Sequence, residues 1–276
     1  MVDPAKVPLD ALTAALLGAL QGVAEFLPIS SSGHLALAQH LLAVDPESGG
    51  HRFNVVVHAG TLLAVLAVYR KDLGQLIYGV LHPDEVPHAR DTILALIVGS
   101  LPLGIVLLPG VENLVVAVEQ NVRLVGVALL VTAGMLAFSH SKDPPEDDPN
   151  LAPSLAQSLM IGVAQLLAVT PGISRSGSTI AAALALGMGR SRAARFSFLL
   201  SIPAVSAAAL KEVVEILGDE GAASVDWTPL AVGFVVSFGV GLAALQGLLA
   251  LLRRFGMMPF VPYLVAAGLA AIVLAG

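Results

Sequence analysis

Stretches 53–69, 92–109, 122–139, 196–217, 229–252 and 260–275 of this chain are nearly free of charge. Each is about as long as a helix needs to be to cross the hydrocarbon core of a bilayer. Lipid offers no partner to a free backbone amide, so every such stretch is predicted to be helical. Composition agrees, with 56% hydrophobic residues, a mean hydropathy of +0.85 and 12% charged residues, against roughly 25% charged in soluble domains. The predicted class is an all-α polytopic membrane protein without a soluble domain of useful size. One lysine precedes the first apolar stretch and no small-residue cleavage site follows it, so the start of the chain does not read as a removable signal peptide.

The net charge of −6 comes mainly from Glu146, Asp147 and Asp148 and from Asp219, Glu220 and Asp226, which argues against nucleic acid as a partner. The chain has no cysteine, which excludes disulfides, thiolate catalysis and thiolate metal sites.

A motif occurs twice, as "GVAEFLPISSSGH" and "GVAQLLAVTPGISRSGS". Gly22, Val23 and Ala24 match Gly162, Val163 and Ala164. Pro28, Ile29, Ser30, Ser32 and Gly33 match Pro171, Ile173, Ser174, Ser176 and Gly177 after a small insertion. Phe53 and Phe196 open the helix after each copy, and the Pro-rich acidic stretch 141–151 reads as a linker between repeats 1–140 and 152–276. The apolar segments flanking each turn are too short to cross comfortably; residues 35–44, for example, would span about 15 Å as helix. Each half is therefore predicted to be a re-entrant hairpin, 9–44 or 153–188, followed by three spans. An odd number of spans inverts the second half and places a site between the repeats at mid-membrane.

Arg70, Lys71, Arg90, Lys142, Arg190, Arg192, Arg195, Arg253 and Arg254 fall on one face of this topology, against Lys6, Arg52, Arg123 and Lys211 on the other. The richer face is predicted to be cytoplasmic and both termini external.

A half-helix beginning after each turn aims free N–H groups and its positive dipole end at the turn, which is an anion site made of backbone. Gly33 and Gly177 allow close approach, the serines add rotatable donors, and Arg175 supplies a cation deep in the membrane, with phosphate as its favoured partner. A phosphate or diphosphate ligand follows. Blander readings stand beside this one: serines bonded to the preceding turn, Glu25 as a neutral interhelical group, His34 as a cap, His58 as a packed or interfacial histidine. His82, Asp84, Glu85 and His88 have metal-like spacing but read as a solvated loop, and Trp227 as an interfacial anchor.

"QGVAEFLP" with "SSSGH", followed half a chain later by "PGISRSGST", resembles the membrane undecaprenyl-diphosphate phosphatases of the bacitracin-resistance family across essentially the whole chain. The resemblance implies hydrolysis of a C55 lipid diphosphate to the monophosphate carrier of cell-wall synthesis. It also implies a divalent cation such as Mg²⁺, an outward-facing site and a place in the bacterial inner membrane. That family's first motif has Glu or Gln, three residues, then Glu; here it is Gln21 and Glu25, and a glutamine cannot serve as a base.

Residues and resemblance together suggest a division of labour. Arg175, with Ser174, Ser176, Gly177, Thr179 and the first-turn Ser30, Ser32 and Gly33, holds the diphosphate. Glu25 with Gln21 holds the metal or takes a proton. Ser31 is the candidate nucleophile with His34 as base or acid, a phosphohistidine at His34 being the reverse arrangement. The rival class is a transporter or flippase of a polyprenyl phosphate or other anion on the same inverted repeat; a purely structural subunit would leave both polar turns unexplained. Membrane lipids are expected neighbours, and pairing into a homodimer is left open.

Overall fold

The computed structural model describes residues 9–44, 51–142, 144–148, 150–218 and 226–275. Lys6, Asp219 and Glu220 lie outside them. All regular structure among the described residues is helical.

The first polar turn joins α1 (Ala11–Phe26) to α2 (Ser31–Leu41). Asp10 starts α1 by accepting from the Thr13 amide at 2.7 Å, a standard cap. The chain continues through α3 (His51–Val68), bends by 67°, and runs on as α4 (Arg70–Leu81). Then come α5 (Ala89–Ser100), a 3₁₀ continuation over Leu101–Leu107, α6 (Val111–Glu119) and α7 (Val122–His140). The second polar turn joins α8 (Leu155–Leu167) to α9 (Arg175–Ala185) and is followed by α10 (Arg190–Gly218), α11 (Trp227–Phe255) and α12 (Val261–Leu274).

Among the described residues, three helices can cross a membrane by length and composition, Ala89–Leu107, Val122–His140 and Trp227–Phe255, or four if the bent pair counts as one span. The stretch beginning at 260 forms a 14-residue helix after a short 3₁₀ turn, only about 21 Å long. The stretch 196–217 belongs to α10, which starts at Arg190, so Phe196 lies inside this helix instead of opening it. The start of α10 is set by the acidic linker. Asp147 accepts from the Gly189 amide (3.0 Å) and from Arg192 (2.6 Å), and Glu146 accepts from the Ser191 amide (3.2 Å); carboxylates are stabilised at the positive end of a helix. Helices α4 and α6 lie outside the apolar stretches and are not predicted by them.

The two hairpins pack into each other's halves: α1 lies along α11, α8 along α5 and its 3₁₀ continuation, and α7 along α12. Backbones touch where α7 meets α12, since a Cβ on Gly126 would stand 2.7 Å from the Gly268 carbonyl oxygen and one on Gly268 would stand 2.8 Å from that of Gly126. Small residues permit such approach in membrane bundles. The loop group His82, Asp84, Glu85 and His88 is occupied locally: His82 stacks on Tyr78 and Glu85 accepts from the Tyr78 hydroxyl. No cluster of three or more His, Cys, Asp or Glu suited to a metal ion occurs among the described residues. Trp227 is exposed at the entrance to α11, beside its cap Asp226.

Candidate active site

Both polar turns end in a serine cap of the same design. Ser30 Oγ accepts from the Gly33 amide at 3.3 Å and Ser174 Oγ from the Gly177 amide at 3.1 Å, while each cap carbonyl accepts from the residue four positions on, His34 or Ser178. This satisfies the third and fourth amides of each eleven-residue half-helix. The first two, those of Ser31 and Ser32 and of Arg175 and Ser176, have no acceptor in the cap. Ser30 and Ser32 stand 3.5 Å apart through their hydroxyls, and Ser174 and Ser176 stand 3.3 Å apart.

The turns abut. Ser30 Oγ also accepts from the Gly172 amide at 3.1 Å, Ser176 Oγ donates to the Leu27 carbonyl at 3.4 Å, and a Cβ on Gly33 would stand 3.0 Å from Gly172 Cα. Thr132 of α7 pins the second turn, donating to the Gly172 carbonyl at 3.0 Å and accepting from the Ser174 amide at 3.1 Å. Gly172 itself has φ 95°, and a Cβ there would stand 2.6 Å from the Val125 carbonyl. Only glycine suits both conditions.

Glu25, buried on α1 one turn before the first bend, is the hub. Its Oε1 accepts from Arg175 Nη2 at 2.5 Å across the interface between the turns. Its Oε2 accepts from Ser31 Oγ at 2.7 Å and from Gln21 Nε2 at 3.0 Å, and faces His58 Nε2 at 3.7 Å. A carboxylate only accepts, so the Gln21 amide must turn its NH₂ toward Glu25 and its oxygen away. Among the described residues, Gln21 Oε1 and Arg175 Nη1 are buried without a hydrogen-bond partner. An acceptor and a cationic donor left open on either side of one carboxylate are unusual in a closed interior and expected where a ligand binds.

Of the residues singled out in the sequence, Gln21, Glu25, Ser31 and Arg175 thus form one connected group, with Ser30, Ser32, Gly33, Ser174, Ser176 and Gly177 shaping the turns around it. Thr179 is turned elsewhere, donating to the Arg175 carbonyl at 2.8 Å and pairing with Ser197 Oγ at 2.5 Å. His34 makes no hydrogen bond to Ser31; its nitrogens meet the Ser30 carbonyl and the Tyr263 hydroxyl.

Sequence reasoning undervalued His58, which sits against the carboxylate. Its signal was present, since an ionisable residue inside an apolar span is functional by default. Thr61, 3.5 Å from Gln21 Nε2, Thr132 and Tyr263 were missed, because none belongs to either motif. Gln165, which occupies in the second copy the position of Glu25 in the first, is buried with neither amide atom hydrogen-bonded.

A protein-family model described as "Bacitracin resistance protein BacA" matches residues 14–270. The chain belongs to the BacA family. Among curated relatives, an undecaprenyl-diphosphatase of Methanosphaera stadtmanae is 38% identical over 284 residues, covering 96% of this chain and 98% of the relative. One of Desulfosudis oleivorans is 40% identical, covering 92% and 95%, and one of Saccharophagus degradans is 39% identical, covering 96% and 99%. The BacA match takes in both polar turns and nearly every element that supports them.

Proposed function

We infer that this membrane protein is an undecaprenyl-diphosphate phosphatase, converting the lipid diphosphate to undecaprenyl phosphate and inorganic phosphate. The relatives carry that name over nearly the full length of the chain. The single observation that carries the chemistry is Glu25 holding a serine hydroxyl on one oxygen and an arginine on the other.

Arg175 Nη1 and the free amides of the two turns receive the terminal phosphoryl group. Phosphoryl transfer depends chiefly on positioning and on neutralising charge. Ser31 Oγ attacks the terminal phosphorus, its proton passes to Glu25 Oε2, and the bond from phosphorus to the bridging oxygen breaks, its electrons staying on the departing undecaprenyl phosphate. Water then attacks the phosphoserine. Oγ regains its proton from Glu25, and the water's own hydrogens leave on the released phosphate. Ser31 needs such a neighbour because an unassisted alcohol is a weak nucleophile; Glu25 is in place at hydrogen-bond distance, and we assign His34 to proton exchange with the leaving group.

The donor set suits a hard divalent cation held jointly with substrate, since Mg²⁺ is commonly bound through one or two carboxylates plus phosphate oxygens. Glu25 would hold it together with Gln21, the Gln21 amide turning over so that its oxygen and not its NH₂ faces the carboxylate. When bound, it would neutralise charge developing on the phosphate oxygens.

We read the halves as an inverted repeat with the site at mid-membrane. What supports this is the matching side-chain hydrogen bonds of the two serine caps, the two eleven-residue half-helices, the exchanged packing of α1 and α8, and the mutual contact of Gly126 and Gly268. Residues 1–140 and 152–276 are then the repeats. For orientation, Asp72, Arg190, Arg195 and Arg253 line one cleft while Arg123 meets the Ala275 carbonyl. By the positive-inside rule the cleft faces the cytoplasm and the termini face outward.

The test is phosphate release from farnesyl or undecaprenyl diphosphate by protein purified in detergent, where no second compartment exists. Wild type should release phosphate while Glu25→Ala and Arg175→Ala should not. A wild type that binds the lipid and releases nothing would favour a carrier.

A further inference from the structure

His34 is held from two sides, and the second contact comes from outside both repeated motifs. Its Nδ1 lies 2.8 Å from the Ser30 carbonyl oxygen. A carbonyl can only accept, so Nδ1 carries the proton, and in the neutral ring Nε2 is left with its lone pair. Tyr263 Oη stands 2.7 Å from Nε2, and it is therefore the donor. The two rings are nearly parallel, 16° apart with centroids at 5.6 Å, so stacking fixes the plane of the imidazole as the hydrogen bonds fix its rotation. His34 is buried while Tyr263 is 48% exposed, which places the phenol between the imidazole and the outside of the molecule. Helix α12 brings Tyr263 there from the far end of the chain. It is seated on α7 by the contact of Gly268 with Gly126, and α7 also carries the Thr132 that pins the second turn.

We propose that Tyr263 is a positioning residue for the phosphatase reaction, acting through His34. Its hydroxyl occupies the only basic nitrogen of the imidazole, aims that nitrogen, and keeps it from turning onto Ser31 or Glu25. When the ring carries a second proton the same contact reverses: Nε2–H donates to Oη, and the phenolic hydrogen turns outward to water or to a phosphate oxygen. No covalent bond to carbon or phosphorus changes in this exchange. Protons therefore reach and leave Nε2 by way of Tyr263. The remaining consequence is a division between the two proton-handling groups of the first turn, with Glu25 serving the nucleophile and His34 serving the leaving group. This inference rests on the hydrolase reading above and deepens it.

The variant Tyr263→Phe keeps the stacked ring and removes only the hydroxyl. For farnesyl diphosphate hydrolysis by the full-length protein in detergent, kcat should fall roughly tenfold, the scale of one hydrogen bond to a group that becomes charged, with KM changed less than twofold. In a His34→Gln background the same substitution should change kcat less than twofold, because the group through which it acts is gone. A normal kcat for Tyr263→Phe would overturn the proposal, as would an equal fractional loss in both backgrounds. The ¹⁵N spectrum of His34 in the wild-type protein decides independently of any variant. A protonated Nδ1 with a hydrogen-bonded, unprotonated Nε2 supports the proposal, whereas the opposite tautomer overturns it. Were wild type to release no phosphate, the hydrolase reading would fail, and the spectrum would still report on the Tyr263–His34 contact.

Discussion

Ser30 Oγ and the Gly172 amide, 142 residues apart in the chain, are joined by a 3.1 Å hydrogen bond, and this is where one polar turn is latched to the other. The latch is held under backbone strain. Ser30 has φ 72° and ψ 98°, a region that costs a non-glycine residue about 1–3 kcal/mol, whereas the matching cap Ser174 has an ordinary extended conformation, φ −73° and ψ 122°. The second turn has more room to absorb the bend, since it runs over 168–174 where the first has only 27–30, and it includes Gly172 at φ 95°.

Two effects therefore separate at Ser30. Ser30→Ala leaves the buried amides of Gly33 and Gly172 without their acceptor, at about 1–3 kcal/mol for each unsatisfied group, and keeps the strain. Ser30→Gly loses the same acceptor but relieves the strain. Melting temperatures in detergent should fall in the order wild type, Ser30→Gly, Ser30→Ala. Equal melting of the two variants would show that the backbone at this turn is unstrained.

The helix seam between α7 and α12 should be as sensitive as the site itself. Gly126→Val places a side chain within contact distance of the Gly268 carbonyl, and overpacking of this kind costs typically about 1–3 kcal/mol. Because α12 carries Tyr263, activity should fall further than the loss of folded protein explains. This is checked by comparing kcat per folded molecule with the melting curve. Unchanged kcat per folded molecule would separate the seam from the site.

The absence of native cysteine makes the meeting of the turns directly accessible. A Cβ on Gly177 would stand 3.2 Å from that of Pro28, close to the separation of about 3.5–4.5 Å found across disulfides. The double variant Pro28→Cys and Gly177→Cys should form an intramolecular cross-link under mild oxidant. The link should be detectable as resistance of the joined halves to separation after proteolytic cleavage in the linker. Failure to cross-link would place the turns apart.

Much of this was legible in the sequence for identifiable reasons. The pair of polar turns followed from two copies of a Pro, Ser and Gly motif, each preceding a helix too short to cross, and Glu25 and Arg175 stood out as charges where charge is costly. The contact of Glu25 with Ser31 depends on α1 bending at Leu27 so that a residue six positions on folds back beside it, and no helical periodicity encodes that. His58, Thr132 and Tyr263 reach the site only through packing of α3, α7 and α12, which linear spacing does not express. The break after Val68 and the 3₁₀ continuation after Ser100 were hidden for a related reason, since apolar runs look alike whether or not the helix within them is bent or tightened.

On the hydrolase reading, the Glu25 carboxylate from one half and the Arg175 guanidinium from the other act as a unit on one diphosphate. The most direct test is a cycle of Glu25→Gln, Arg175→Lys and the double variant, read as kcat/KM for phosphate release. Each single change should lose on the order of 10²–10⁴-fold, the range of a positioned acid–base or charge-stabilising group. The expected result is that the double variant loses little more than the worse of the two singles. Losses that multiply would mean that Glu25 and Arg175 work independently, and would contradict a single site shared between the turns.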